Sequence, residues 1–164
     1  MAADIVIRPM TEADFAAFWP VFRQVVRARD SYAIAADIGF EQARRYWLEQ
    51  PLQTHAAFTG GQLAGSYYLK ANFDGPAGHV CNCGYMVDTR FRGRGIARRL
   101  CLHSMDAARA AGFAAMQFNC VVASNAPAIH LWQSLGFDTI GRIPDAYRHR
   151  ELGLTDALVM YRKL

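Results

Sequence analysis

The segment "GYMVDTRFRGRGIARRLCLHSMDAARAAG", residues 84–112, constrains this chain more than any other. A strand pattern ends near Val87, and glycines follow at 93 and 95. Ile96, Leu100, Ser104 and Ala108 then recur at four-residue spacing. That spacing predicts an amphipathic helix with Cys101 and Met105 beside its buried stripe, and Gly112 is placed to end it. The first amides of such a helix lack internal partners, and the helix dipole adds partial positive charge there. Without a Cβ at Gly93 or Gly95, a phosphate can approach the backbone closely. Arginines at 90, 92, 94, 98 and 99 add diffuse attraction and bidentate contacts. Taken alone, the pattern leaves two readings open: a phosphate-cradling loop, or a solvated turn before a basic helix. The GxxxxGK[ST] phosphate loop is absent, and no third glycine or downstream acid completes a dinucleotide fingerprint.

The rest of the chain supplies alternating strands and helices. "IVIRP" reads as a first strand, and "TEADFAAFWPVFRQVVRA" as a helix with Thr11 as N-cap and Asp14 in the capping-box position. Pro20 is expected to kink or interrupt that helix. "FEQARRYWLEQ" is a second helix, and "HAAFTGGQLAGSYYLKAN" is a hairpin turning at Gly60-Gly61. "HVCNCGYMVD" is a strand whose Gly84 marks a bulge or a close backbone approach. After the central helix come a buried strand, "FAAMQFNCVVAS", and a short helix, "NAPAIHLWQSLGF", with Ile129, Trp132 and Leu135 inward. "DTIGRI" and "DALVMYRKL" give two last strands. The order β-α-α-β-β-β-α-β-α-β-β describes an α+β (mixed α/β) fold, a largely antiparallel sheet flanked by helices. Residues 1–164 are expected to form a single domain.

Composition narrows the partners. The five clustered arginines exceed the formal net charge of +4, so the remaining chain is near neutral. So local a basic spot suits a compact anion with a few phosphates, not a nucleic acid track. No run of eighteen apolar residues occurs, so no membrane partner is expected. The four cysteines show neither CxxC spacing nor metal-type pairing with histidine, so no metal site is expected. Free buried thiols and the lack of an evident signal peptide lead to an expected cytoplasmic location.

Two motifs carry a resemblance. "YMVDTRFRGRGIARRL" is similar to the coenzyme A signature of the GCN5-related N-acetyltransferases, R/Q-x-x-G-x-G/A, with Arg92, Gly95 and Ala97 at its positions. "NAPAIHLWQSLGF" resembles that family's later Asn-x-x-Ala-x-x-Leu-Tyr-x-x-x-Gly-Phe motif, and "IRPMTEADF" its first strand and helix. The resemblance implies about seven strands and four helices, with the fourth and fifth strands splayed apart.

It also implies a function, transfer of an acetyl group from acetyl-CoA to a primary amine of a small molecule or amino acid. The route would be direct attack through a tetrahedral intermediate, with the oxyanion met by a backbone N–H near Met86 or Val87. Carried over residue by residue, the backbone of Tyr85, Met86 and Val87 would pair with the pantetheine arm. The loop Arg92, Gly93, Arg94, Gly95, Ile96, Ala97 and Arg98 would hold the pyrophosphate. Asn125 would reach the pantetheine or thioester. Asn119 and Asn125 are the candidate catalytic residues. Gly84 could open the gap between the strands.

Trp132 stands where the family often has an acid tyrosine, and no clear general base is visible. Tyr32 and Tyr147 are candidate acceptor-binding residues, in the stretches "RDSYAIAADIGF" and "IPDAYRHRELGLTDA", with Asp37 and Arg148 beside them. His79, His103 and His130 are assigned surface or interface roles. A protein N-terminal acetyltransferase and a non-catalytic acyl-CoA sensor are the alternatives, and a homodimer is compatible with the family.

Overall fold

Strands buried on both faces need a helical cover on each side, and the strands at the centre of this chain are of that kind. The structure is a computed structural model that describes residues 4–164. Seven strands form one mixed sheet: β1 Ile5–Pro9, β2 Gln53–Thr59, β3 Gln62–Ala71, β4 Val80–Val87, β5 Ala115–Val122, β6 Asp138–His149 and β7 Gly153–Lys163. Their order is β1-β2-β3-β4-β5-β7-β6. All pairings are antiparallel except β4 with β5. The helices are α1 Glu12–Ala28, α2 Phe40–Arg44 with a π-helical turn Arg45–Glu49, α3 Ile96–Ala110 and α4 Ala126–Ser134.

One face of the sheet packs against α3 and α4 around Leu100, Met105, Met116, Phe118 and Trp132. The other packs against α1 and α2 around Phe15, Phe18, Phe22, Trp47 and Tyr68. Trp47 is fully buried and donates its indole N–H to Ser66 Oγ at 2.8 Å, which ties the α2 region to β3. The expected capping box is present. Asp14 N–H donates to Thr11 Oγ1 at 3.2 Å, and Thr11 N–H donates to Asp14 at 2.8 Å.

Two local expectations change, and of the two readings open at Gly84 one holds. α1 runs unbroken through Pro20. Pro20 and Ala16 are both exposed, so the carbonyl that loses its usual donor meets water and the cost is small. β6 continues to His149 instead of ending near Ile143, so the stretch read as an acceptor loop is a hairpin with a short turn. The strand passes Pro144 because β6 is an edge and the ladder shifts between Ile143 and Tyr147, where Asp145 takes φ 51°. Gly84 sits in unbroken register opposite Tyr68, so it makes no bulge. A Cβ there would come 2.5 Å from the Tyr68 ring, and that close approach is what requires glycine.

Candidate functional site

The parallel pair β4–β5 holds for two positions, Val80 with Ala115 and Cys81 with Met116, and then opens. Asn82 stands at the apex. Its side-chain amide donates to the Gln117 carbonyl at 2.9 Å, where a backbone donor would have continued the ladder. Tyr68 holds Asn82 by donating to its Oδ1 at 3.2 Å. On the other side of the gap, the β5–β7 ladder shifts register between Phe118 and Val121, so Asn119 and Cys120 lie in an irregular stretch. Sequence reasoning did not single out Asn82. An Asn inside an apolar strand is the signal that could have found it, since a buried amide must have partners.

Bonds at the two ends of the β3–β4 ladder fix which backbone groups face the gap. Asn72 N–H donates to Val80 O, and Asp88 N–H donates to Ala64 O. By antiparallel alternation, even-numbered residues of β4 direct their polar groups at β3, while Cys83, Tyr85 and Val87 direct theirs into the gap. Met86 therefore lines the cleft, but its N–H and C=O belong to the β3 side. This corrects the expectation that three consecutive peptides are available. Tyr85 is further fixed on the opposite face. Its ring lies 5.1 Å from Trp132, and its hydroxyl lies 2.7 Å from Ser104 Oγ. Tyr32 donates its hydroxyl to the Tyr85 carbonyl at 2.6 Å.

The gap leads directly into the glycine loop. Asp88 is buried and caps a short turn, Thr89–Phe91, by accepting the Arg90 N–H at 2.9 Å. The Arg90 guanidinium pairs with the same carboxylate at 2.7 Å and holds it below its usual pKa. Gly93 and Gly95 take φ 73° and 75°, a left-handed conformation that other residues rarely adopt. An added Cβ at either would meet no protein atom within 4 Å, so the space above them is open.

Gly95 is the N-cap of α3, and no side chain caps that end. The first helical bond is Arg99 N–H to Gly95 O at 3.0 Å, which leaves the amides of Ile96, Ala97 and Arg98 without helical partners. In α1 and α4 the corresponding ends are capped, by Thr11 and Asn125. Open space, three free amides and a helix dipole together fit a pyrophosphate.

One cleft of about 940 Å³ joins these parts. It is lined by Tyr32, Tyr85, Met86, Val87, Asn119 and Asn125, and on the loop side by Arg92, Gly93, Gly95, Ile96, Ala97 and Arg98. Arg94 is outside the lining, with its guanidinium over the Phe91 ring at 5.4 Å. Tyr147 and Arg148 line a separate hollow, and Asp37 lines neither. Tyr147 instead donates to the Tyr32 carbonyl at 3.1 Å and supports the cleft wall from behind.

Several candidate side chains are already engaged. Asn125 accepts the Ala128 N–H at 3.3 Å as the α4 cap. Asn119 donates to Asn72 at 2.6 Å and accepts from Gln117 at 3.0 Å. Trp132 lies 5.0 Å from Phe118 and shapes the cleft floor, in keeping with a packing role. Burial raises the pKa of both cleft thiols, Cys83 and Cys120, so neither stands ready as a thiolate. His103 is half-buried and lies 2.8 Å from the Tyr67 hydroxyl, not at a free surface.

Residues 15–137 match the model of the acetyltransferase (GNAT) family. The chain belongs to the GNAT acetyltransferase family. A GCN5-related N-acetyltransferase from Kribbella flavida is 40% identical, with 98% of each chain covered and a TM-score of 0.93. The N-acetyltransferase aca1 of Schizosaccharomyces pombe is 38% identical over 98 residues, which is 59% of this chain and 47% of that protein. The chain thus spans about half the length of that relative. The structure of yncA from Salmonella typhimurium, solved with acetyl-CoA, shares the fold at TM-score 0.82 and 20% identity, covering 99% of this chain and 95% of that one. As a GNAT member, the chain has the splayed β4–β5 pair and the R-x-x-G-x-A loop together in one cleft.

Proposed function

We propose that this chain transfers an acetyl group from acetyl-CoA to a primary amine of a small molecule or amino acid. The observation that carries the reading is continuity. A strand gap with unpaired backbone groups runs into an uncapped helix start and out to an aromatic-walled mouth, all within one cleft. The amides of Ile96, Ala97 and Arg98 would hold the pyrophosphate, with Arg92 and the Arg98 side chain adding charge. Val87 and the Tyr85 N–H would pair with the pantetheine arm like an added strand, while the Tyr85 carbonyl is held by Tyr32. Acetyl-CoA supplies the acetyl thioester.

The remaining work belongs to the chain. The N–H groups of Cys83, Tyr85 and Val87 point into the gap and are the backbone donors available to a carbonyl oxygen that gains charge. An alkylamine is largely protonated near neutral pH and must lose a proton before it can attack. Asp30, at the mouth of the cleft, is the carboxylate among the described lining residues, and the mouth itself admits water. Both cleft thiols are kept protonated, which favours direct attack by the amine over an acyl-cysteine route.

Release of free coenzyme A thiol across a panel of amines tests the proposal. Thiol release dependent on the amine is the expected result. Saturable acetyl-CoA binding with no turnover on any amine would make the chain a sensor, the reading that the tryptophan at 132 also fits. Absence of acetyl-CoA binding would remove both.

A further inference from the structure

We propose that the acceptor carries a carboxylate beside its amine, as an amino acid or short amino-carboxylate does, and that Lys70 binds that carboxylate. The inference rests on the acetyl-transfer reading above and concerns the opposite end of the same cleft from the pyrophosphate loop.

In register, Lys70 of β3 lies opposite Asn82 of β4, so the two side chains share a face. Asn119 of β5 reaches that side too, where its amide donates to Asn72 at the end of β3 at 2.6 Å. Lys70, Asn82 and Asn119 thus form one polar floor beside the opening of the strand gap, and all three line the cleft. Around them the walls are largely aromatic or aliphatic, with Tyr32, Ile34, Tyr46 and Tyr68.

Lys70 is a cation paired with no carboxylate among the described residues, the Asp30 of the same lining included. The arginines of the lining, Arg92 and Arg98, belong to the glycine loop. Among the described residues Lys70 forms no ion pair. Its ammonium is held over the rings of Tyr46 at 5.6 Å and Tyr68 at 5.3 Å, which fixes its position without neutralising it. The neighbouring amide is already satisfied: Asn82 accepts from Tyr68 and donates to Gln117. The ammonium therefore keeps donors for a ligand.

A positive charge at this point would repel a plain alkylammonium or a lysine-rich peptide. An amino acid reverses that effect. Its carboxylate satisfies Lys70, and the same contact fixes the adjacent amine near the strand gap. A lysine in an aromatic-walled recess thus selects for zwitterions.

The test uses thiol-release kinetics on matched triplets: an amino acid, its carboxamide and its decarboxylated amine, for example leucine, leucinamide and 3-methylbutylamine. The wild-type protein and the variants Lys70→Met and Lys70→Arg are compared. A charge-assisted contact of this kind predicts that the best amino acid exceeds its amide in kcat/KM by about tenfold or more. Lys70→Met should raise KM for the acid by a similar factor and close the gap to the amide, while Lys70→Arg keeps part of it. Acetyl-CoA affinity, measured by titration, should be retained in both variants, which separates loss of the acceptor site from loss of the fold. Amides or amines that equal or exceed their acids in the wild type would overturn the inference and leave acetyl transfer standing. A preference for acids that survives Lys70→Met would overturn the role of Lys70. Acetyl-CoA binding with no amine acetylated would remove the transfer reading and this inference with it.

Discussion

Gly95 and Arg94 are neighbours in the sequence with opposite expected weights. Gly95 sits at φ 75° with open space on its Cβ side, at the head of an uncapped helix. A valine there must strain the backbone, and its side chain would fill the space that a phosphate needs. The strain, about 1–3 kcal/mol, falls on the fold, and the filled space takes away phosphate contacts, so Gly95→Val should weaken acetyl-CoA binding by about tenfold or more. Arg94 stacks on Phe91 away from the cleft, and a single screened charge contributes little. Arg94→Ala should change the affinity less than about threefold. Calorimetric titration of both variants decides the matter, and comparable losses would mean that charge outweighs the backbone cradle. The glycines were legible in the sequence because a helix periodicity began immediately after them. The fate of each arginine was not, because a side chain's direction depends on neighbours such as Asp88 and Phe91.

At the scale of elements, order and type were legible from the first strand to the last, because each stretch carries its own periodicity and punctuation. What the sequence concealed was where two elements part. The β4–β5 gap begins where Asn82 replaces a ladder bond with its side chain, and that substitution is visible only once Gln117 is beside it. The long β6 was hidden by Pro144, which reads as a stop until the strand is known to be an edge. Asn82→Val tests the apex. It leaves the Gln117 carbonyl without its donor, and an unsatisfied group in that setting costs about 1–3 kcal/mol. Urea unfolding should show that loss, with a smaller one for Tyr68→Phe, whose Asn82 partner keeps its bond to Gln117. Acetyl-CoA affinity should fall in Asn82→Val as well, since the same residue sets the opening of the gap. Unchanged stability and affinity would mean that backbone and water hold the apex unaided.

Stability of the whole molecule is tied to pH through a pair of histidines that the sequence did not connect. His55 on β2 and His103 on α3 are 48 residues apart, yet their rings lie 4.9 Å from each other, and His55 stacks on Tyr67 at 5.1 Å. His55 is buried with Nδ1 unpartnered. Burial first, and then the proximity of His103, lower its pKa to about 4. Burial lowers His103 as well. At His55 an unfolded chain takes up its proton near pH 6.5, whereas the folded one resists until about pH 4, and His103 shifts in the same direction. The unfolded state therefore binds more protons across that window, and the stabilisation is complete above pH 6.5 and lost as pH falls toward 4. For His55 alone the loss amounts to about 3 kcal/mol by linkage. Asp14, held at about 2 mainly by Arg8, loses its contribution below the usual carboxylate range, so the two windows are separable. Thermal unfolding measured from pH 7.5 to 2.5 should show Tm falling through the histidine window in the wild type. In His55→Phe, which keeps a ring against Tyr67 and cannot be protonated, the slope between pH 6.5 and 4 should flatten while any fall below pH 4 persists. An unaltered slope would place the sensitivity in other groups.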